Sequence, residues 1–274
     1  MTSPPVALPF KVSTEAFVRD FGSFLCGVDA GGQPRGGLPG TCTTCGTPVA
    51  SDYVECYTCH QDRALCAKLD ILFPVDEAAF LTYAVDYPGG VSATHEREGR
   101  QTYRVLKGYK AVPPVPGALP SLIMWTLWFL EHWWPSGTES TSWAWATVPS
   151  RKTERLGPHP LRGIIAALLK DSLPEVVLTL SGTSATRGFD TKAFVASGSA
   201  RDNHVLLIED LWVTGGNVLS AAAALKSAGA ERVSAMALGR ALNPSSWEPA
   251  RQFIEHDGLR QGFSPGRSPW VKTA

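Results

Sequence analysis

Apolar positions along this chain fall into short runs separated by glycine, proline and polar clusters, and run length divides them into strands and helices. Val205-Leu206-Leu207-Ile208 is short and continuous, the pattern of a strand buried on both faces of a parallel sheet. Trp143 to Pro149, Val176 to Leu180 and Arg232 to Leu238 read as further strands, Trp143 to Pro149 being the first of the core, and Ala79 to Tyr87 reads as a strand before them. The longer runs predict helices: the aromatic stretch Leu119 to Trp134, a stretch from about Leu161 to Lys170, and the alanine-rich Val218 to Ala228, which Gly229 should close. Pro113 to Pro120 holds four prolines and should be extended, and glycine-rich Gly31 to Gly40, with Pro34 and Pro39, reads as a flexible lead-in. Strands alternating with helices predict an α/β fold with a mostly parallel sheet flanked by helices.

Composition bounds what such a fold can do. With 274 residues and 44% hydrophobic content the chain can bury a large core, as one large or two modest domains. Its 25 basic and 25 acidic residues cancel, so charge demands neither a nucleic acid nor an anionic membrane. Leu119 to Trp134 is the one candidate membrane segment, and its apolar run ends too soon, at Glu131 and His132, to span a bilayer. Met-Thr-Ser-Pro-Pro lacks the basic and apolar regions of a signal peptide. The expected location is the cytoplasm, where thiols stay reduced and cysteine clusters more often bind metal.

Four of the six cysteines form such a cluster. Cys42 and Cys45 make one Cys-x-x-Cys pair, Cys56 and Cys59 another, and the ten residues between the pairs suit a small zinc ribbon. Four sulfur ligands leave no open position for water, so a Zn²⁺ held there is structural. Two disulfides or a redox pair would use the same residues. Cys26 and Cys66 fall outside the spacing and are expected to be small buried residues. Up to residue 60 there are three basic side chains (Lys11, Arg19, Arg35) against five acidic ones (Glu15, Asp20, Asp29, Asp52, Glu55). That balance disfavours direct nucleic-acid binding and favours a protein contact or a structural role for the ribbon.

The chemistry concentrates in residues 204–217. After the apolar run come Glu209 and Asp210, placed where the strand should end, then Val213-Thr214-Gly215-Gly216-Asn217 and the alanine-rich helix. A strand, a tight turn and a helix start gather unpaired N–H groups at the positive end of a helix dipole, which favours a phosphate. Neither the Walker pattern nor the Gly-x-Gly-x-x-Gly pattern is present. Two carboxylates ahead of a phosphate cradle suit a ribose 5-phosphate.

This stretch resembles the phosphoribosyl pyrophosphate (PRPP) motif of type I phosphoribosyltransferases, with Glu209 where Asp is usual, a bulky Trp212, and Asn217 in place of Thr or Ser. The order of parts resembles the ComF family, which joins a zinc finger to a phosphoribosyltransferase-like domain: a cysteine ribbon, an aromatic strand, the segment Gln101 to Lys110 with Tyr103-Arg104-Val105-Leu106-Lys107, a Val-Pro strand end, and the PRPP motif. That resemblance implies a ribbon in residues 1–70, a phosphoribosyltransferase-like domain in 71–242, and a tail in 243–274 with no motif. It implies PRPP or a nucleoside monophosphate as ligand, with Mg²⁺. Glu209 and Asp210 would take the ribose hydroxyls, Val213 through Asn217 the 5-phosphate, and Arg151, Lys152 and Arg187 the pyrophosphate.

The basic loop Ser150 to Arg155 departs from the family pattern after Arg155, where Leu156-Gly157-Pro158-His159 follow. His159 reads as an exposed loop histidine, the alternative being an acid-base group. Ser181 to Gly188, rich in small residues, reads as an ordinary surface loop or, as the resemblance implies, a mobile lid over PRPP, with Arg187, Asp190 and Phe194 similar to the family's Arg-x-x-Asn pattern and its following Phe. The activity implied is transfer of phosphoribosyl to an unidentified acceptor; the alternative is a non-catalytic sensor or adaptor in DNA uptake or processing.

Overall fold

The computed structural model describes residues 8–23, 25–33, 39–86, 96–135, 142–151, 159–182, 188–198, 200–256, 263, 265–266 and 269–273, with backbone alone at 96–100 and 271. In chain order its elements begin with α1 (Thr14–Phe21), a ribbon of β1 (Gly40–Thr41) and β2 (Pro48–Val49), α2 (Tyr57–Lys68), β3 (Glu77–Val85), α3 (Glu96–Gly108) and α4 (Ala118–His132). There follow β4 (Trp143–Thr147), α5 (Pro160–Leu169), β5 (Val177–Leu180), β6 (Phe194–Ser197), β7 (His204–Trp212), α6 (Gly216–Ser227), β8 (Arg232–Leu242), α7 (Glu248–Glu255) and β9 (Val271–Lys272).

The main sheet has the order β4-β7-β8-β3-β9. The first four strands run parallel, and β9 closes the β3 edge antiparallel. Alternation along each strand sends side chains to two buried layers, as a sheet covered on both faces requires. Val205 and Leu207 share one layer with Val233, Ala235 and the alanines of α6. Leu206 and Ile208 share the other with Met236, Trp145, Leu161 and the aromatic face of α4.

In that second layer Trp128 is fully buried, stacked on Phe17 at 4.5 Å between ring centroids and edged by Phe263 at 5.0 Å. A buried tryptophan removes roughly 200 Å² from water, about 5 kcal/mol at 25 cal/mol/Å². The burial explains why α4 is apolar. None of the described helices is long and apolar enough to cross a membrane.

Several expectations change. Residues 177–180 form a strand outside the main sheet: β5 pairs antiparallel with β6, and a single bridge from Glu175 to Trp145 ties this hairpin to β4. Its place as the fourth parallel strand is taken by β3, which lies beside β8 and precedes β4 in the chain. Gln101 to Lys110 lies mostly on α3. β7 runs on to Trp212, so Glu209 and Asp210 lie inside the strand, and β8 continues to Leu242. The segment 243–274 supplies α7, β9 and the aromatics Phe263 and Trp270 that pack around α4. Of the lead-in, residues 34–38 lie outside the described residues, and Gly40 opens β1.

The helix after β7 behaves as its composition predicts. Gly229, at φ +94°, ends it in a left-handed turn, with Ala230 N donating to Leu225 O and Gly229 N to Lys226 O.

Candidate functional site

Two sites grow from this fold. In the first, the thiols of Cys42, Cys45, Cys56 and Cys59 lie within 4.8 Å of one another, all buried. Local geometry builds each half. Gly46 at φ +65° turns the chain after Cys45, where a Cβ would stand 2.5 Å from Val28 Cγ1. Cys56 is the N-cap of α2 and accepts from Cys59 N at 3.5 Å, so the first turn of the helix sets its sulfur beside that of Cys59.

Cys45 Sγ and Cys56 Sγ are 3.8 Å apart, and all six cysteines are free. Four sulfurs at about 2.3 Å from a tetrahedral ion would stand about 3.8 Å from one another, so the group could hold a metal ion such as zinc. Hydrogen bonds within the cluster, from Cys42 first, and the Arg240 charge hold the Cys45 thiol well below its ordinary range. Cys26 and Cys66 are buried apart from the four.

The second site is a cleft of about 1170 Å³ at the carboxyl ends of the parallel strands, lined by residues from 148–151, 209–218, 240–243, Asp86 and the end of α3. Open α/β sheets bind ligands there. Glu209 and Asp210 are buried neighbours on β7 and point to opposite faces. Asp210 Oδ2 accepts from Tyr109 Oη and pairs with Lys110 Nζ at 2.5 Å, and His159 Nε2 is 3.9 Å away. Burial works against the Asp210 charge, but the Lys110 ammonium, then His159, outweigh it and hold the carboxyl down at about 2. Burial first, and then the Asp210 charge, push Glu209 well above the usual carboxylate range. Of the pair, Asp210 is the member held ionised, and Glu209 the one pushed toward its protonated form.

The turn follows directly. Val213 and Thr214 are exposed to the cleft, Gly215 caps α6 at φ +92°, and no side chain caps the helix start. A Cβ on Gly215 would stand 2.9 Å from Trp212 Nε1, because the buried indole lies under the turn. The first N–H groups of α6 thus remain for a ligand. Asn217 lines the same wall, and its Oδ1 is buried with no hydrogen-bond partner among the described residues. Beside the first turns of α6, Arg151 Nη2 donates to Ser220 Oγ at 2.6 Å and Nη1 to Gly188 O at 3.0 Å.

Of the residues read from sequence, the structure brings together Glu209, Asp210, Val213, Thr214, Gly215, Asn217 and Arg151 around the cleft, with Gly216 buried as the first residue of α6. Lys152 and Arg187 lie outside the described residues. His159 corrects the sequence reading: its side chain is 8% exposed, its Nδ1 accepts from Leu161 N as the N-cap of α5, and it faces Asp210. Tyr109, Lys110 and Arg240 were not foreseen. Lys110 stands at the end of a segment whose aromatic and basic spacing was visible; Arg240, an arginine buried in a strand, gave no local signal.

What fold and site define is an α/β protein with a mostly parallel sheet, a buried four-cysteine cluster that could hold a metal ion, and a cleft beside an acidic pair and an uncapped helix start. No known family model and no curated protein matches the chain.

Proposed function

We propose that the cleft binds PRPP or a ribose 5-phosphate nucleotide and that, given an acceptor, the protein transfers the phosphoribosyl group with release of pyrophosphate, on a type I phosphoribosyltransferase-like scaffold. One observation carries this reading: an acidic pair on the central strand and a glycine turn at a helix start open into one cleft at the carboxyl end of a parallel sheet. The free N–H groups of α6 suit the 5-phosphate, and protonated Glu209 can exchange hydrogen bonds with a ribose hydroxyl. Arg151, whose planar fork suits phosphate oxygens, would meet the pyrophosphate. Mg²⁺ would enter with PRPP and neutralise that leaving group. In the transfer, the bond from C1 to pyrophosphate oxygen breaks with its electron pair while the acceptor bonds to C1. The transition state is loose and cationic, so positioning and charge would dominate.

A second reading, a non-catalytic PRPP or nucleotide sensor, is favoured by the engagement of Asp210. Its carboxylate is already held by Tyr109 and Lys110, and a ligand hydroxyl would have to compete with both. Calorimetric titration of Mg²⁺ with PRPP, and separately of nucleoside monophosphates, into the wild type and the Glu209→Ala, Asp210→Ala double variant tests the site. Binding by the wild type that disappears in a folded double variant supports it. A wild type that binds neither ligand refutes it. Pyrophosphate release during a screen of nucleobases and amines then separates enzyme from sensor.

A further inference from the structure

Arg240 ties the two sites together. Its side chain is buried on β8, with Nε donating to Cys45 O at 2.7 Å and Nη2 to Cys45 Sγ at 3.4 Å. From the same planar group, Nη1 donates to Val213 O at 2.8 Å, Trp212 O at 3.2 Å and Ala241 O at 2.7 Å. One guanidinium therefore spans from a cysteine of the metal cluster to the two carbonyls at the start of the phosphate turn.

A cation buried this deeply needs a compensating negative charge. Among the described residues no carboxylate forms an ion pair with Arg240; the sulfur of Cys45 is its anionic contact. Four thiolates around a dication leave two negative charges on the cluster, and these supply what the guanidinium requires. Without the ion nothing draws the four sulfurs to one point, so the Cys45 turn can shift, and the Arg240 fork that rests on Cys45 O and Sγ shifts with it. The carbonyls of Trp212 and Val213 then lose their donor.

We infer that Arg240 is a positioning residue through which metal occupancy of the four-cysteine site sets the turn at residues 213–217, so that ligand binding in the cleft depends on a metal that never touches the ligand. The dependence of ligand binding rests on the reading of that turn as a phosphate site; the link between metal and turn does not. Tyr83 braces the same connection, donating from Oη to Gly46 O at 2.6 Å next to the Cys45 turn.

The experiment follows amide hydrogen exchange in the full-length protein, metal-loaded and after chelation, in the wild type and in Arg240→Lys and Arg240→Met, with bound zinc measured in each. Chelation of the wild type should raise exchange at Leu219, whose N–H donates to Gly215 O across the turn, and at the amides next to it in α6, about tenfold or more, from lost hydrogen bonds to a charged donor, while β4 and the centre of β7 stay protected. Arg240→Met should loosen the same amides with zinc still bound. Arg240→Lys, which keeps the charge but not the fork, should restore them only in part. Unchanged turn exchange after metal removal overturns the inference, as does a zinc-loaded Arg240→Met with a wild-type turn. A rise spread evenly over β4, β7 and β8 overturns it too, since the whole sheet would then depend on the metal rather than the turn.

Titration with PRPP adds the functional arm. Affinity should fall about tenfold or more on chelation, and equal affinity with and without metal overturns the dependence. If the metal-loaded wild type does not bind PRPP, the phosphate reading fails, while the exchange data still decide the metal link.

Discussion

Replacing Asp210 with asparagine keeps the shape of the side chain and removes its charge, leaving Tyr109 and Lys110 facing an amide. Its carboxyl drops from an ordinary 3.8 to about 2 in the folded protein. At about 1.4 kcal/mol per pKa unit, the ionised side chain contributes about 2 kcal/mol. Truncating a buried pair costs about 3–5 kcal/mol in general; a lower value is expected here because Glu209, relieved of its charged neighbour, can ionise in place of Asp210.

The pH window follows from the sign of the shift. A depressed carboxyl stabilises the fold fully above its unfolded value, and that contribution is lost as pH falls toward the folded value. The difference between wild type and Asp210→Asn should therefore be complete at pH 5–7 and shrink between about pH 4 and 2. Urea unfolding of both proteins across this range measures it. Glu209→Gln makes the contrast: its carboxyl is raised, so the folded state already holds the proton, and glutamine should be neutral or stabilising at pH 7. Equal stability of Asp210→Asn and wild type at pH 7, or a larger loss for Glu209→Gln than for Asp210→Asn, would refute the assignment of Asp210 as the member held ionised.

Two further outcomes are expected. Gly215→Ala places a Cβ 2.9 Å from the Trp212 indole at φ +92°, so urea unfolding should show a loss of about 1–3 kcal/mol, and any ligand that uses the turn should bind more weakly. Trp128→Ala, which empties the stack between Phe17 and Phe263, should cost about 3–5 kcal/mol by the same assay while leaving zinc content unchanged.

The parts of the molecule that were legible in the sequence are those whose cause is local. The apolar run at 205–208 marked a buried strand, the glycines and alanines after it marked a turn and a helix, and the spacing of Cys42, Cys45, Cys56 and Cys59 marked a cluster, which the folded thiols form at a spacing that could hold a metal ion. Glu209 and Asp210 looked like the end of a strand because two acidic residues are poor strand interior. What keeps them inside it, Tyr109 and Lys110, lies about a hundred residues earlier in the chain, as separations of 101 and 100 show. Residues 177–180 carry a short apolar run that serves a side hairpin as well as a central strand, so periodicity alone could not place them. The burial of His159 likewise depends on where α5 docks, which no feature of its loop announces.

The contact between Arg240 and Cys45 also says something about how such a chain can be made. Its two residues are 195 positions apart, and Arg63 reaches further still, to the Thr273 carbonyl 210 positions on. During synthesis the cysteine segment emerges first, and the arginine that completes its surroundings only after most of the chain has followed. Closing contacts of such long range is slow, and until β8 arrives the four thiols lack their buried cationic neighbour. A nascent chain arrested before residue 240 should therefore bind added zinc less firmly than the finished protein.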